Sequence, residues 1–244
     1  MEKLSWLSIL IVALCWGCDK PDAPDCFQKA GEWVEEERTF DNTIRTLEVY
    51  DRIDVRLVES DENRVVIFAP ENLMPEVKTE IFGSRLMLDD DNTCDFVRDL
   101  SITPIITVYA DLDSLINSGS GNIESVGTID NQRFVIDQLH SSGNLNLTVN
   151  CDSLILQQAT GNPLTTLKGH ADYFYTYYTT FTPLNAANLL CEESFIHSGS
   201  INSASTFVTN KLVAVIESSG NIYYSGNPEE IVLVDDGDGE LISQ

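Results

Sequence analysis

From residue 115 onward a short phrase, Ser-Gly-Asn-aliphatic, keeps returning at nearly constant distance. The clear copies are Ser120-Gly121-Asn122-Ile123, Ser142-Gly143-Asn144-Leu145, Ser198-Gly199-Ser200-Ile201 and Ser219-Gly220-Asn221-Ile222. Thr160-Gly161-Asn162-Pro163-Leu164 is a weaker copy and Thr180-Phe181-Thr182-Pro183-Leu184 a degenerate one. Successive centres lie 22, 18, 20, 18 and 21 residues apart. That period suits one turn of a β-solenoid and is too short for a propeller blade. On this reading glycine serves a corner with φ > 0, asparagine tolerates it, and the next aliphatic drops into a stacked interior. Aliphatic runs such as Leu154-Ile155-Leu156 and Leu212-Val213-Ala214-Val215-Ile216 precede the corner and supply each turn with a second strand. About six turns at ~4.8 Å each give a body near 30 Å long. A β-sandwich with serine-glycine turns is the competing architecture.

Residues 27–110 lack the repeat and alternate like half-buried antiparallel strands: Leu47 and Val49, then Ile53, Val55 and Leu57, then Val65 and Ile67, later Val77, Thr79 and Ile81. Ile105-Ile106-Thr107-Val108-Tyr109 is a strand rich in β-branched residues. The expected fold is therefore all-β: N-terminal antiparallel strands followed by a β-solenoid over residues 111–234, with an acidic tail at 235–244.

The chain opens with Lys3 and an apolar stretch, Leu4 to Leu14, too short for a bilayer span but suited to a signal peptide over residues 1–17. It ends in Cys15-Trp16-Gly17-Cys18, where a small residue before cysteine resembles a lipobox, so Cys18 is the expected lipidated first residue of the mature protein. Residues 18–26, rich in proline and charge, read as a tether reaching at most about 25 Å. A lipid-anchored location in the cell envelope follows, the outer membrane favoured over the inner.

Four cysteines remain in an oxidising compartment: Cys26, Cys94, Cys151 and Cys191. Cys151 and Cys191 are two solenoid turns apart, about 9.6 Å, beyond the ~7 Å that a disulfide spans. Cys26 and Cys94, both outside the repeat, are the better candidates for a bridge. The 14 basic and 39 acidic residues give a net charge of -25, which repels phosphate backbones and sets nucleic acid aside as a partner.

The chain resembles the "putative autotransporter adhesin" head domain of GIN type over roughly residues 38–230. The resemblance is carried by Phe40 with Ile53-Asp54-Val55, by the run from Glu71 to Glu80, by Asn92-Thr93-Cys94-Asp95-Phe96-Val97-Arg98, by Ser118-Gly119-Ser120-Gly121, and by the run from Gly220 to Pro228. It implies a right-handed parallel β-helix in a Gram-negative envelope protein and brings no catalytic residues with it.

His140, His170 and His197 are scattered and no nucleophile motif surrounds a serine, so catalysis has no residues to name, and no cofactor or metal is expected. Asp235-Asp236-Gly237-Asp238-Gly239-Glu240 looks like a calcium loop but lacks EF-hand spacing, and reads as a solvated tail. In Tyr173-Phe174-Tyr175-Thr176-Tyr177-Tyr178, strand alternation puts Tyr173, Tyr175 and Tyr177 on one face. Exposed, that row would suit sugar rings or an envelope or host protein; alternatively it packs beneath a neighbouring loop. The expected function is a membrane-anchored, non-catalytic binding or adhesion module, with a ligand-free structural protein and a glycan-acting enzyme as alternatives.

Overall fold

In a computed structural model, residues 30–92 and 102–244 are described. The described residues form strands β1 (Trp33–Thr39), β2 (Thr46–Val49), β3 (Asp54–Val58), β4 (Arg64–Pro70), β5 (Val77–Phe82), β6 (Arg85–Asp90), β7 (Ile105–Tyr109), β8 (Ser114–Asn117) and β9 (Ile123–Ser125). There follow β10 (Ile129–Gln138), β11 (Leu145–Gln158), β12 (Thr165–Tyr178), β13 (Leu184–Ser198), β14 (Ala204–Ile216), β15 (Ile222–Ser225), β16 (Glu230–Asp235) and β17 (Leu241–Ser243).

The long strands bend in the middle, and the burial pattern shows where. In β11, Leu145, Leu147, Val149 and Cys151 face inward, Asp152 and Ser153 both leave the core, and Leu154, Leu156 and Gln158 face inward again. Two successive outward residues in an alternating strand mark a corner. The first halves stack in parallel into one sheet, I, and the second halves into another, II. Sheet I carries an interior column Ile123, Leu145, Thr165, Leu184, Ala204, Ile222 and Leu241, in register from strand to strand. Its steps of 22, 20, 19, 20, 18 and 19 residues make six turns of a β-solenoid. The members from Ile123 to Ile222 are at most 1% exposed, and each large aliphatic among them contributes about 1.5–3 kcal/mol by burial.

This column corrects the phase of two repeat copies. Ile201 and Leu164, expected inside, are 57% and 42% exposed, and Ala204 and Thr165 take the interior positions. It also corrects the reason for the glycines. Gly121, Gly143 and Gly220 are absent from the positive-φ set, which among the repeat glycines includes Gly161. A Cβ on Gly121 would lie 1.9 Å from the Ile53 carbonyl oxygen, and one on Gly143 would lie 1.8 Å from that of Gly121. Glycine is required there because the backbone of the neighbouring turn occupies the side-chain position. The asparagines tie successive turns together instead of tolerating strain: Asn122 Oδ1 accepts from the Asn144 amide at 3.2 Å, and Asn221 Oδ1 from the Glu240 amide at 2.9 Å. Asp54 makes the equivalent link in the preceding turn, accepting from the Asn122 amide at 2.7 Å.

The N-terminal region is only partly antiparallel. Strands β1 with β4, β4 with β7, and β5 with β6 are antiparallel and cap one end of the stack. Strands β2 and β3, however, are parallel members of the solenoid: β2 lies between β6 and β8, and β3 between β7 and β9. The stack therefore begins before residue 111, and its spatial order departs from chain order. The segment expected to be a free acidic tail is also structured. Strand β17 pairs with β15 in parallel, and a Cβ on Gly239 would meet the Gly220 carbonyl oxygen at 2.3 Å, so Gly239-Glu240-Leu241 is a further corner.

Cys151 and Cys191 are free and buried, and the register places Ala171 between them in the stack. Cys18, Cys26 and Cys94 lie outside the described residues.

Candidate functional site

The outward positions of sheet II form columns that run along the solenoid axis. Alternation in the second half of β12 sends Phe174, Thr176 and Tyr178 inward, each fully buried, and leaves Tyr173, Tyr175 and Tyr177 pointing out. Tyr173 is 36% exposed, and its two companions are half-buried. Register extends the Tyr175 position into a column of Val135, Ile155, Tyr175, Phe195, Val213 and Val232. The Tyr177 position continues likewise through Asp137, Gln157, Tyr177, His197, Val215 and Val234. The result is a flat face, apolar along one line and mixed along the next, about 15 Å by 25 Å at ordinary sheet spacings.

Ring geometry decides what this face can offer. Tyr175 stacks on Phe195 with centroids 5.3 Å apart and planes 20° apart, a separation close to the spacing between turns. The rings therefore lie across the solenoid axis, turning their faces toward each other and their edges outward. Tyr177 meets His197 edge to face at 5.0 Å and 88°, and His197 Nε2 is 3.0 Å from Glu217 Oε1. Burial, then the neighbouring Tyr175 and Glu193, push the Tyr173 phenol up, so it stays protonated and able to donate at neutral pH. Burial also raises the Asp137 carboxyl at the rim.

The outside of sheet I is polar and largely self-satisfied. A cleft of about 270 Å³ there is lined by Asp54, Arg56, Asn122, Glu124, Asn144 and Asn146. Arg56 pairs with Glu124 at 3.1 Å, and the Asp54 and Asn122 oxygens accept from backbone amides of the next turn. A second cleft of about 250 Å³, at the bend between the sheets, gathers Asp130, Asp152, His170 and Asp172. Among the described residues no three His, Cys, Asp or Glu side chains converge to hold a metal ion.

Sequence reading found Tyr173, Tyr175 and Tyr177 but missed Phe195, His197, Val213 and Val215, which complete the face from other turns. The signal was present: stepping one period from Tyr175 reaches Phe195 and then Val213.

Comparison with known proteins agrees with this architecture. Residues 44–228 match the family described as "Putative auto-transporter adhesin, head GIN domain". A crystal structure of a "putative adhesin" from Bacteroides fragilis superposes with a TM-score of 0.80 at 16% identity, covering 87% of this chain and 97% of its own. A "putative adhesin" from Parabacteroides distasonis gives 0.62 at 17% identity, covering 88% and 98%. A "Putative lipid binding protein" from the same species gives 0.58 at 19% identity, covering 85% and 96%. At these identities the likeness is one of fold. No curated protein matches the sequence.

Proposed function

This chain belongs to the family described as "Putative auto-transporter adhesin, head GIN domain", and from that membership we propose that it is a non-catalytic binding module of the cell envelope. The signal-peptide pattern and the cysteine at position 18 support a lipid anchor, which keeps the domain within a tether's length of its membrane. The observation that carries the binding role is the outward face of sheet II around Tyr173, Tyr175, Tyr177, Phe195 and His197. Its core is apolar, its rim holds hydroxyl, imidazole and carboxyl groups, and its rings are ordered by stacking before any partner arrives. Aromatic surfaces ordered in this way lose little side-chain entropy on binding.

The partner that fits is a protein surface. Sugar rings stack on exposed aromatic faces, whereas Tyr175 and Phe195 cover one another and present edges. A glycan reading rests on Tyr173, the most exposed of the row. The face measures roughly 400 Å², about half of what each partner contributes to a standard interface, so each contact is weak and strong attachment needs many anchored copies.

The test compares the wild-type chain with a Tyr173→Ser, Tyr175→Ser, Tyr177→Ser variant in capture of envelope and host proteins and on glycan arrays. Loss of a reproducible protein partner at unchanged thermal unfolding is the expected result. Equal capture by both would remove this face from the reading. Fractionation of a Cys18→Ser variant tests the anchor: release from the membrane fraction is expected, and retention would refute it.

A further inference from the structure

The two ends of the solenoid differ. One is closed by the antiparallel strands β1, β4 and β5. At the other, β16 pairs with β14 alone among the described strands. Ile231 and Leu233 occupy interior columns, beneath Leu212 and Ala214 that are fully buried, yet they are 43% and 46% exposed. Val232 and Val234 on the outer side are 37% and 44% exposed. This strand thus shows apolar side chains on both of its faces and, along its far edge, its backbone.

The direction of that backbone follows from one hydrogen bond. The Asp236 amide donates to the Ile216 carbonyl at 3.0 Å. In a parallel ladder the amides alternate sides, so those of Val232 and Val234 also point to β14, and those of Ile231 and Leu233 point away from the stack. An edge of this kind is a template for another strand. Its flanks are acidic at both ends, with exposed Glu229 before it, exposed Glu230 as its first residue, and exposed Asp236 and Asp238 after it. The nearby Lys211 is engaged with Glu230 at 2.9 Å.

We propose that the β16 edge is a docking site for an extended strand of a partner polypeptide, apolar over about four residues and basic on both sides. Strand addition supplies the hydrogen bonds, the partner's alternate side chains cover Ile231 and Leu233, and its cationic flanks meet the acidic pairs. A second copy of this chain is disfavoured by the same charges, because end-to-end pairing would bring two acidic flanks together in a molecule of net charge -25. This edge adjoins the outward face of sheet II, whose columns end at Val232 and Val234, but its free backbone and the exposed Ile231 and Leu233 do not rest on that face.

The experiment titrates a labelled peptide, with a Val-Thr-Val-Ile-Val centre and a pair of lysines at each end, into the purified full-length chain and reads fluorescence anisotropy. A protein this acidic attracts any cationic peptide, so the deciding comparison is the charge-neutral Leu233→Pro variant, which removes an outward amide and leaves the β14 pairing intact. We expect at least a tenfold loss of affinity in Leu233→Pro, and slower amide exchange at Ile231 and Leu233 when the peptide binds the wild type. Unchanged affinity in the folded variant, or unchanged exchange at those two amides, would overturn the proposal. The exchange measurement decides even if the variant fails to fold. Sedimentation of the wild-type chain as a dimer that Leu233→Lys dissociates would also overturn it, by assigning the edge to a second copy.

Discussion

Replacing Gly143 by alanine should be among the most damaging small changes this protein can receive. The new Cβ would lie 1.8 Å from the Gly121 carbonyl oxygen and 2.5 Å from its carbon. Both obstacles are backbone, so relief requires the two turns to separate by more than about 1 Å locally, a large fraction of the ~4.8 Å strand spacing. That movement falls on the hydrogen bonds joining the same turns: Ile123 amide to Asn144 carbonyl at 2.8 Å, Ser142 amide to Gly119 carbonyl at 3.1 Å, and Asn144 amide to Asn122 Oδ1 at 3.2 Å. Overpacking costs about 1–3 kcal/mol and each of the three weakened bonds about 1 kcal/mol, so a total of about 4–6 kcal/mol is expected. Two controls separate this effect from conformational preference. Gly83 and Gly127 have positive φ and open space around the added methyl, so alanine there should cost about 1–2 kcal/mol from backbone strain alone. At Gly199 the added Cβ would meet Thr179 Cγ2 at 3.0 Å, and that side chain can shift, so under about 1 kcal/mol is expected. Urea unfolding followed by far-ultraviolet circular dichroism ranks the four variants. If Gly143→Ala unfolds at the same midpoint as Gly199→Ala, the stacked-backbone explanation of the repeat is wrong.

Burial, and then the nearby Asp111 carboxylate, push the Glu59 carboxyl up to about 7 from an ordinary 4.5. The native state thus holds a proton that the unfolded chain releases, so this stabilisation is complete below about pH 4.5 and is lost as pH rises through about 7. Glu59→Gln should shrink the difference in urea midpoint between pH 5 and pH 8 by the equivalent of about 1 kcal/mol once solvent screening of this part-exposed group is allowed for; an unaltered difference would count against it. Burial pushes the Cys151 and Cys191 thiols up to about 12, so alkylation mapped by mass spectrometry should spare both until the chain unfolds, and native labelling would contradict the packing. Phe174→Ala empties a fully buried position beneath Leu154 and should cost about 3–5 kcal/mol in urea unfolding, whereas Tyr175→Ala on the outer face should cost less than half of that.

The repeat was legible because each turn contributes one interior residue at a nearly fixed interval, and a period survives even when individual copies degenerate. Its phase was less legible. Ser198-Gly199-Ser200-Ile201 matches the phrase letter for letter except at one position, yet Ala204 holds the interior place, and Gly199 has no neighbouring backbone at its Cβ position. A short motif records local chemistry, whereas phase is set by register with the turn on either side. Gly239-Glu240-Leu241 was hidden for the opposite reason: its acidic neighbours suggested a solvated tail, although Leu241 lies 19 residues beyond Ile222 and stacks upon it.

The outward face of sheet II divides in the same way. Alternation within Tyr173 to Tyr178 was sufficient to separate the outward tyrosines from the inward Phe174 and Tyr178. It could not tell whether the rings would lie flat or stack edge-out, because that depends on Phe195 standing one turn away.

The amino-acid sequence by itself determined the all-β class, the turn length and the two-faced alternation of the tyrosine segment, since all three are written in local alternation and spacing. Only the tertiary structure decided that β2 and β3 slot between strands that come later in the chain, that the corner glycines answer to a neighbouring carbonyl, and that β16 is left as an open edge. Those features depend on which strand lies beside which, and strand pairing is settled by long-range packing that no single segment of the chain encodes.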